Sequence, residues 1–115
     1  MDRELKRGTL EMVMLRLLAE EPMYGFQLIT ALRDRTGGGF EMKEGTLYPV
    51  LYRMEEGGLI EPQWHAEGRG VPRKYYHITV AGRAELDRLV DEWRVFSASV
   101  DRLLGAARAT ERRHA

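Results

Sequence analysis

The 115-residue chain contains no cysteine, so neither a disulfide framework nor a thiolate metal site can stabilise it. That usage fits a reducing compartment, and the expected localisation is cytoplasmic. Long apolar runs are also missing. The longest, Met12 to Leu15, is far too short to cross a bilayer, so no membrane partner is expected. Met1-Asp2-Arg3-Glu4 is of mixed charge with no apolar core behind it, so no signal peptide is expected. Net charge is absent too: 18 Lys and Arg balance 18 Asp and Glu. A binder of polyanions usually carries a basic excess, so any basic face must be local and non-specific binding weak.

What is present describes an ordinary folded protein. Hydrophobic residues make up 43% and charged residues 31%, which argues against disorder. The length suits one small domain and one extra element. The acids cluster at Glu20-Glu21, Glu55-Glu56 and Asp91-Glu92, whereas Gly68 to Tyr76 carries Arg69, Arg73 and Lys74 and no acid.

Apolar periodicity predicts a first helix over about residues 5 to 20, with Leu10, Val13, Met14, Leu17 and Leu18 on one face. Met12 and Leu15 lie off that stripe, and a partner chain is the expected cover for them. Glu21-Pro22 stops this helix. A second, with Leu28, Ile29 and Leu32 apolar, is predicted from about Tyr24 to Thr36, and Gly37-Gly38-Gly39 ends it. That glycine run is no phosphate loop, because no Lys-Ser/Thr pair follows it. A third helix is predicted from about Thr46 to Glu56, with Leu47, Val50, Leu51 and Met54 inward. Pro49 is expected in its first turn, which forbids a start much before Gly45.

Two strand-like runs follow, Leu59 to Trp64 and Lys74 to Thr79, joined by a glycine-rich turn with a basic tip. Alternation should bury Tyr76 and Ile78 and turn Tyr75 and His77 the other way. Thr79 is a plausible N-cap for a last helix reaching about Arg108, a rod of roughly 43 Å at about 1.5 Å per residue. Its apolar residues fall on heptads: Leu86, Trp93, Val100 and Ala107 in one series, Leu89, Phe96 and Leu103 in another, widened by Val90 and Leu104. One small domain cannot cover so long a stripe, so a homodimer is expected. Thr110 to Ala115 reads as a frayed tail.

The fold class is therefore mainly α with a small β-hairpin: a winged helix-turn-helix over residues 1–79 and a C-terminal dimerisation helix over 80–115. In such a fold the third helix packs one face and offers the other to the major groove of double-stranded DNA. That outward face carries Thr46, Tyr48, Tyr52 and Arg53, with Lys43 at the helix start and Arg69, Arg73 and Lys74 on the wing. No spacing supplies a nucleophile with its base, so no enzyme is expected. His65 and His77 can face each other across the hairpin, but two histidines without a third ligand make a poor metal site. No metal or cofactor is expected. The alternative reading is a winged-helix protein-interaction module without specific DNA binding.

Certain runs go beyond generic pattern. They are Leu5-Lys6-Arg7-Gly8-Thr9-Leu10-Glu11, Pro22-Met23-Tyr24-Gly25-Phe26-Gln27-Leu28, Glu44-Gly45-Thr46-Leu47-Tyr48-Pro49-Val50-Leu51, Gly58-Leu59-Ile60, Arg73-Lys74-Tyr75-Tyr76-His77-Ile78-Thr79 and Ala81-Gly82. The series resembles the PadR family of bacterial transcriptional regulators over about residues 5 to 104. The Gly-Thr-Leu-Tyr-Pro and Met-Tyr-Gly runs are specific, whereas Gly-Leu-Ile occurs in many winged helices. The resemblance is to the smaller subgroup, whose single C-terminal helix dimerises with help from the first helix. It implies a repressor, with Tyr24, Lys43, Thr46, Tyr48 and the wing cations near DNA, and release by a phenolic or planar hydrophobic effector. Trp93 is too large to pack symmetrically at mid-seam, so with Phe96, Val100, Met12 and Leu15 it is a candidate wall of a slot for a flat aromatic ligand.

Overall fold

The computed structural model describes the backbone of residues 3–66 and 68–114, and the side chains of residues 8–66 and 68–105. The described residues form α1 (Arg3–Glu20), β1 (Met23–Tyr24), α2 (Gly25–Arg35), α3 (Glu44–Glu56), β2 (Ile60–His65), β3 (Arg73–Ile78) and α4 (Val80–His114). This is a winged helix-turn-helix carrying a long C-terminal helix. The sheet is antiparallel in the order β1-β3-β2. Among the described residues no helix is long and apolar enough to cross a membrane.

Helix α1 is the centre of the domain. Its stripe of Leu10, Met14, Leu17 and Leu18 is buried as its periodicity requires. Leu15, expected to need a partner chain, is instead 0% exposed within its own chain. The reason is that α1 is packed from several sides at once, by α2, α3 and β3 and by α4. Met12 stays partly covered. Leu28 and Leu32 of α2, Leu47, Val50, Leu51 and Met54 of α3, and Ile60 and Tyr76 of the sheet complete the core. Each such side chain contributes on the order of 1.5–3 kcal/mol.

Helix α3 departs from its expected start. Pro49 lies inside the helix rather than in its first turn, and Lys43 is the N-cap. Proline leaves the Gly45 carbonyl without its helical donor, but Gly45 and Pro49 both face solvent, where water takes that role. The other end closes in a Schellman motif. Gly58, at φ +75°, donates to the Glu55 carbonyl at 3.0 Å, and the Leu59 amide donates to Met54 at 2.9 Å.

Strand β1 was not legible in the sequence. Two residues carry no period, and Met23 and Tyr24 become a strand only because Tyr76 and Tyr75 lie opposite. The edge strand β2 carries Pro62, tolerated there because an edge has no neighbour to satisfy on one side. The two strands begin and end within a residue of their expected bounds.

Helix α4 begins as expected. The Thr79 hydroxyl accepts from the Gly82 amide at 3.0 Å and donates to the Gly58 carbonyl at 2.6 Å, so the N-cap also ties the helix to the end of α3. Its route corrects the heptad reading. Leu86 and Leu89, expected in a dimer seam, are buried in the core of their own domain, and Val90 packs partly against it. The stripe turns to solvent only from Trp93 onward, through Phe96, Val100, Leu103 and Leu104. Ala107 lies outside the described side chains. The helix continues through His114, past the expected end at Arg108 and through most of the expected frayed tail, in a molecule of 66 × 27 × 24 Å.

Candidate nucleic-acid interface

The outward face of α3 is built by the same period that buries its other face. Thr46, Tyr48 and Tyr52 are exposed, and Lys43 stands exposed at the helix N-terminus. Tyr48 is 46% exposed, yet its hydroxyl also rests on α2: a Cβ at Gly25 would lie 2.5 Å from it. It therefore both packs against the start of α2 and stays half-exposed to solvent. Arg53 does not join this face. It sits one helical step from Val50 and Met54, so its side chain is half-buried, and its Nε is enclosed without a described hydrogen-bond acceptor.

The wing cations separate by strand alternation. Lys74 shares a sheet face with Tyr76 and Ile78, so it turns inward toward α3. There it pairs with Glu55 at 3.2 Å and lies 5.4 Å from the centre of the Tyr76 ring. Burial works against its charge, but the Glu55 carboxylate and the Tyr76 hydroxyl hold its pKa above the ordinary lysine value. Lys74 is thus not the free wing cation the sequence suggested. Arg73 turns the other way. Its Nη1 donates to the Tyr24 hydroxyl at 2.5 Å, and its guanidinium lies 4.6 Å from the Tyr24 ring centre. Its positive charge is left unneutralised by that phenol. Arg69 is exposed near the wing tip.

Tyr24 anchors the outer sheet face. Its ring meets Tyr75 edge-on at 5.3 Å, Tyr75 meets His65 at 4.7 Å, and His65 stacks on His77 at 5.7 Å. The histidines do face each other, as ring neighbours, and no cluster of three or more metal-ligating side chains occurs among the described residues.

Between α2, α3 and the wing lies an open cleft of about 630 Å³, lined by Tyr24, Phe26, Tyr48, Trp64, Arg73 and Lys74 with Gly25 and Tyr76 at its base. Phe26 and Trp64 were not singled out as site residues. The signal available was the alternation of β2, which puts Trp64 on the face of Ile60 and Pro62 but leaves it beyond the edge of the core.

The seam expected to hold a ligand is assembled only in part. Met12, Trp93 and Phe96 line a cleft of about 260 Å³ with Gly8, Thr9, Leu89 and Glu92, the two rings 6.3 Å apart. Leu15 is excluded from it by burial in the core, and Val100 lies farther along α4, outside the lining.

Comparison with known proteins assigns the family. Residues 14–88 match the family model described as the transcriptional regulator PadR-like family. The transcriptional regulator Rv3488 of Mycobacterium tuberculosis is 35% identical over 85 residues, covering 73% of this chain and 75% of that one. The crystal structure of a PadR family transcriptional regulator from Eggerthella lenta superposes with a TM-score of 0.74 at 40% identity, over 88% of this chain and 86% of that one. Bacillus subtilis PadR, solved in complex with operator DNA, shares the fold at 23% identity and a TM-score of 0.65, over 71% of this chain and 46% of that one. The matched region holds α2, α3 and the wing, the elements that build the interface above, and the chain belongs to the PadR-like family of transcriptional regulators, a family of regulators and not of enzymes.

Proposed function

We propose that this protein is a cytoplasmic repressor that binds a pseudo-palindromic operator as a homodimer. The observation that carries the DNA reading is the exposed face of α3, where Thr46, Tyr48 and Tyr52 project beside Lys43 and the Arg73 guanidinium. That is the arrangement a recognition helix needs, with base-edge contacts from the helix and backbone contacts from its N-terminus and the wing. The operator complex of Bacillus subtilis PadR supports it at the level of fold.

The dimer reading rests on α4. From Trp93 to Leu104 its apolar stripe is left largely exposed by the described residues, and a second α4 antiparallel to it would cover it. The cleft of Met12, Trp93 and Phe96 opens on the same seam, which suits a planar aromatic effector. Among the described residues that line it the charged one is Glu92, which by itself disfavours an aromatic carboxylate.

Selection of genomic fragments on the purified protein, followed by footprinting, tests the proposal. The expected product is a two-fold repeat with half-site centres about 10 base pairs, or a multiple, apart. Recovery of no preferred sequence would instead favour a winged-helix module for protein interaction.

A further inference from the structure

A chain with no net charge is poorly equipped to hold a polyanion by ion pairing, and the structure removes one more cation from use. Lys74 is engaged by Glu55. Among the described residues of the cleft between the wing and α3, this leaves Arg73 as the cation without a carboxylate partner, among aromatic rings. Two of these rings lie open to solvent in the free molecule: Trp64 is 68% exposed and Phe26 65%. Single exposed apolar residues are normal on a surface, but two large ones lining one cleft together with Tyr48 are not scattered. Trp64 sits opposite Lys74 in the β2–β3 ladder, so its indole is on the α3 side of the wing. Among the described residues no carboxylate lines the cleft.

This combination suits a ligand that alternates charge with a small apolar ring. The sugar–phosphate strand of a duplex has that form. Its bases are stacked and their faces hidden, but its deoxyribose edges are exposed between phosphates. We propose that Trp64 is a DNA-contact residue: the cleft holds one backbone strand, a phosphate at Arg73 and the Tyr24 hydroxyl, and a deoxyribose edge against Trp64 and Phe26. The inference rests on the DNA-binding reading above. It assigns to Trp64 an apolar share of the affinity that salt does not screen, which compensates for the missing basic excess.

The test uses the full-length protein and the selected duplex, with the dissociation constant measured across a salt series. Trp64→Ala should weaken binding about tenfold at every salt concentration, so that its plot of log affinity against log salt runs parallel to wild type. Trp64→Phe should recover most of the loss. Arg73→Ala should instead flatten the slope by about one unit. In a Trp93→Phe background Trp64 is the remaining tryptophan, and its emission should change saturably as duplex is added. Trp64→Ala that binds like wild type, or that changes the salt slope as Arg73→Ala does, overturns the proposal while leaving DNA binding intact. If Trp64→Ala fails to fold, an unchanged Trp64 emission on saturation with duplex overturns it equally. A wild-type protein that binds no duplex overturns the DNA reading itself.

Discussion

The hydroxyl of Tyr48 rests against the backbone of Gly25, so closely that a Cβ on Gly25 would fall 2.5 Å from the oxygen and 2.9 Å from the ring carbon that bears it. The helix proposed to read DNA is thereby keyed into the first turn of α2 by a tyrosine, and the key fits only because its lock has no side chain. Gly25→Ala should separate stability from binding. Alanine at a helix position gains up to about 1 kcal/mol over glycine, and the atom it meets is the end of a side chain that can swing aside. The melting temperature should therefore stay within a few degrees of wild type while operator affinity falls. A double-mutant cycle checks the cause: in a Tyr48→Ala background, itself weaker in specific binding, Gly25→Ala should cost no further affinity.

The Glu55–Lys74 pair makes a prediction of opposite sign. Glu55 holds the wing to α3 and withholds a cation from DNA. Glu55→Gln should free Lys74, raise non-specific affinity and steepen the salt dependence by up to about one unit. Lys74→Ala should lose affinity, and adding Glu55→Ala should restore much of it, because the first change leaves a bare carboxylate beside the interface. A salt slope unaltered in Glu55→Gln would mean that Lys74 stays unavailable without its partner.

How far the sequence disclosed these arrangements depended on the range over which each is decided. Helices α1 to α3 and the hairpin follow from local period, and Thr79 from its place before the last helix. Strand β1 could not be read, since two residues become a strand only through Tyr75 and Tyr76, some fifty positions away. The same alternation that correctly buried Tyr76 also turns Lys74 inward, a consequence of the pattern that the count of wing cations passed over. The heptads of α4 were real but did not say which partner each apolar residue meets. Leu86 and Leu89 are buried in the core of their own domain, whereas Trp93, Phe96, Val100, Leu103 and Leu104 stay exposed. Leu15 teaches the same lesson from the other helix: two apolar faces on α1 reflect a central position in one domain.

Acid should reveal the tie between α1 and α2. Hydrogen bonds from Arg35, at 2.6 and 2.9 Å, hold the Glu20 carboxyl below its ordinary value against the opposing effect of burial, and the charges of Arg35 and Arg16 add to the lowering. A carboxyl whose folded pKa is depressed contributes stability above its unfolded pKa, and that contribution is lost as pH falls through the folded value. Glu20→Gln should therefore lower the melting temperature slightly at neutral pH, and the gap to wild type should close below about pH 4. A gap that does not narrow as pH falls through the acid range would assign the effect to packing of the side chain instead of its charge.

Helix α4 should divide into two halves with different jobs, and two substitutions of the same kind should expose the division. Leu86 is buried within the domain. A carboxylate there loses its water and gains no partner, a cost of several kcal/mol, enough to unfold a small domain. Leu103 is 72% exposed on the far half of the helix. Leu103→Glu should leave the domain core untouched and act only on whatever covers that stripe. An amphipathic helix with its apolar stripe exposed is marginal in water, so a second chain covering the far half would stabilise it. Sedimentation equilibrium should then show wild type as a dimer and Leu103→Glu as a folded monomer, with the core still melting cooperatively and some helical signal lost. Leu86→Glu should give an unfolded or aggregated product. The monomer should retain weak binding to a half-site and lose the gain that joins two half-sites in one operator. A dimer that survives Leu103→Glu unchanged would remove the far half of α4 from the interface and leave its exposed stripe in need of another partner.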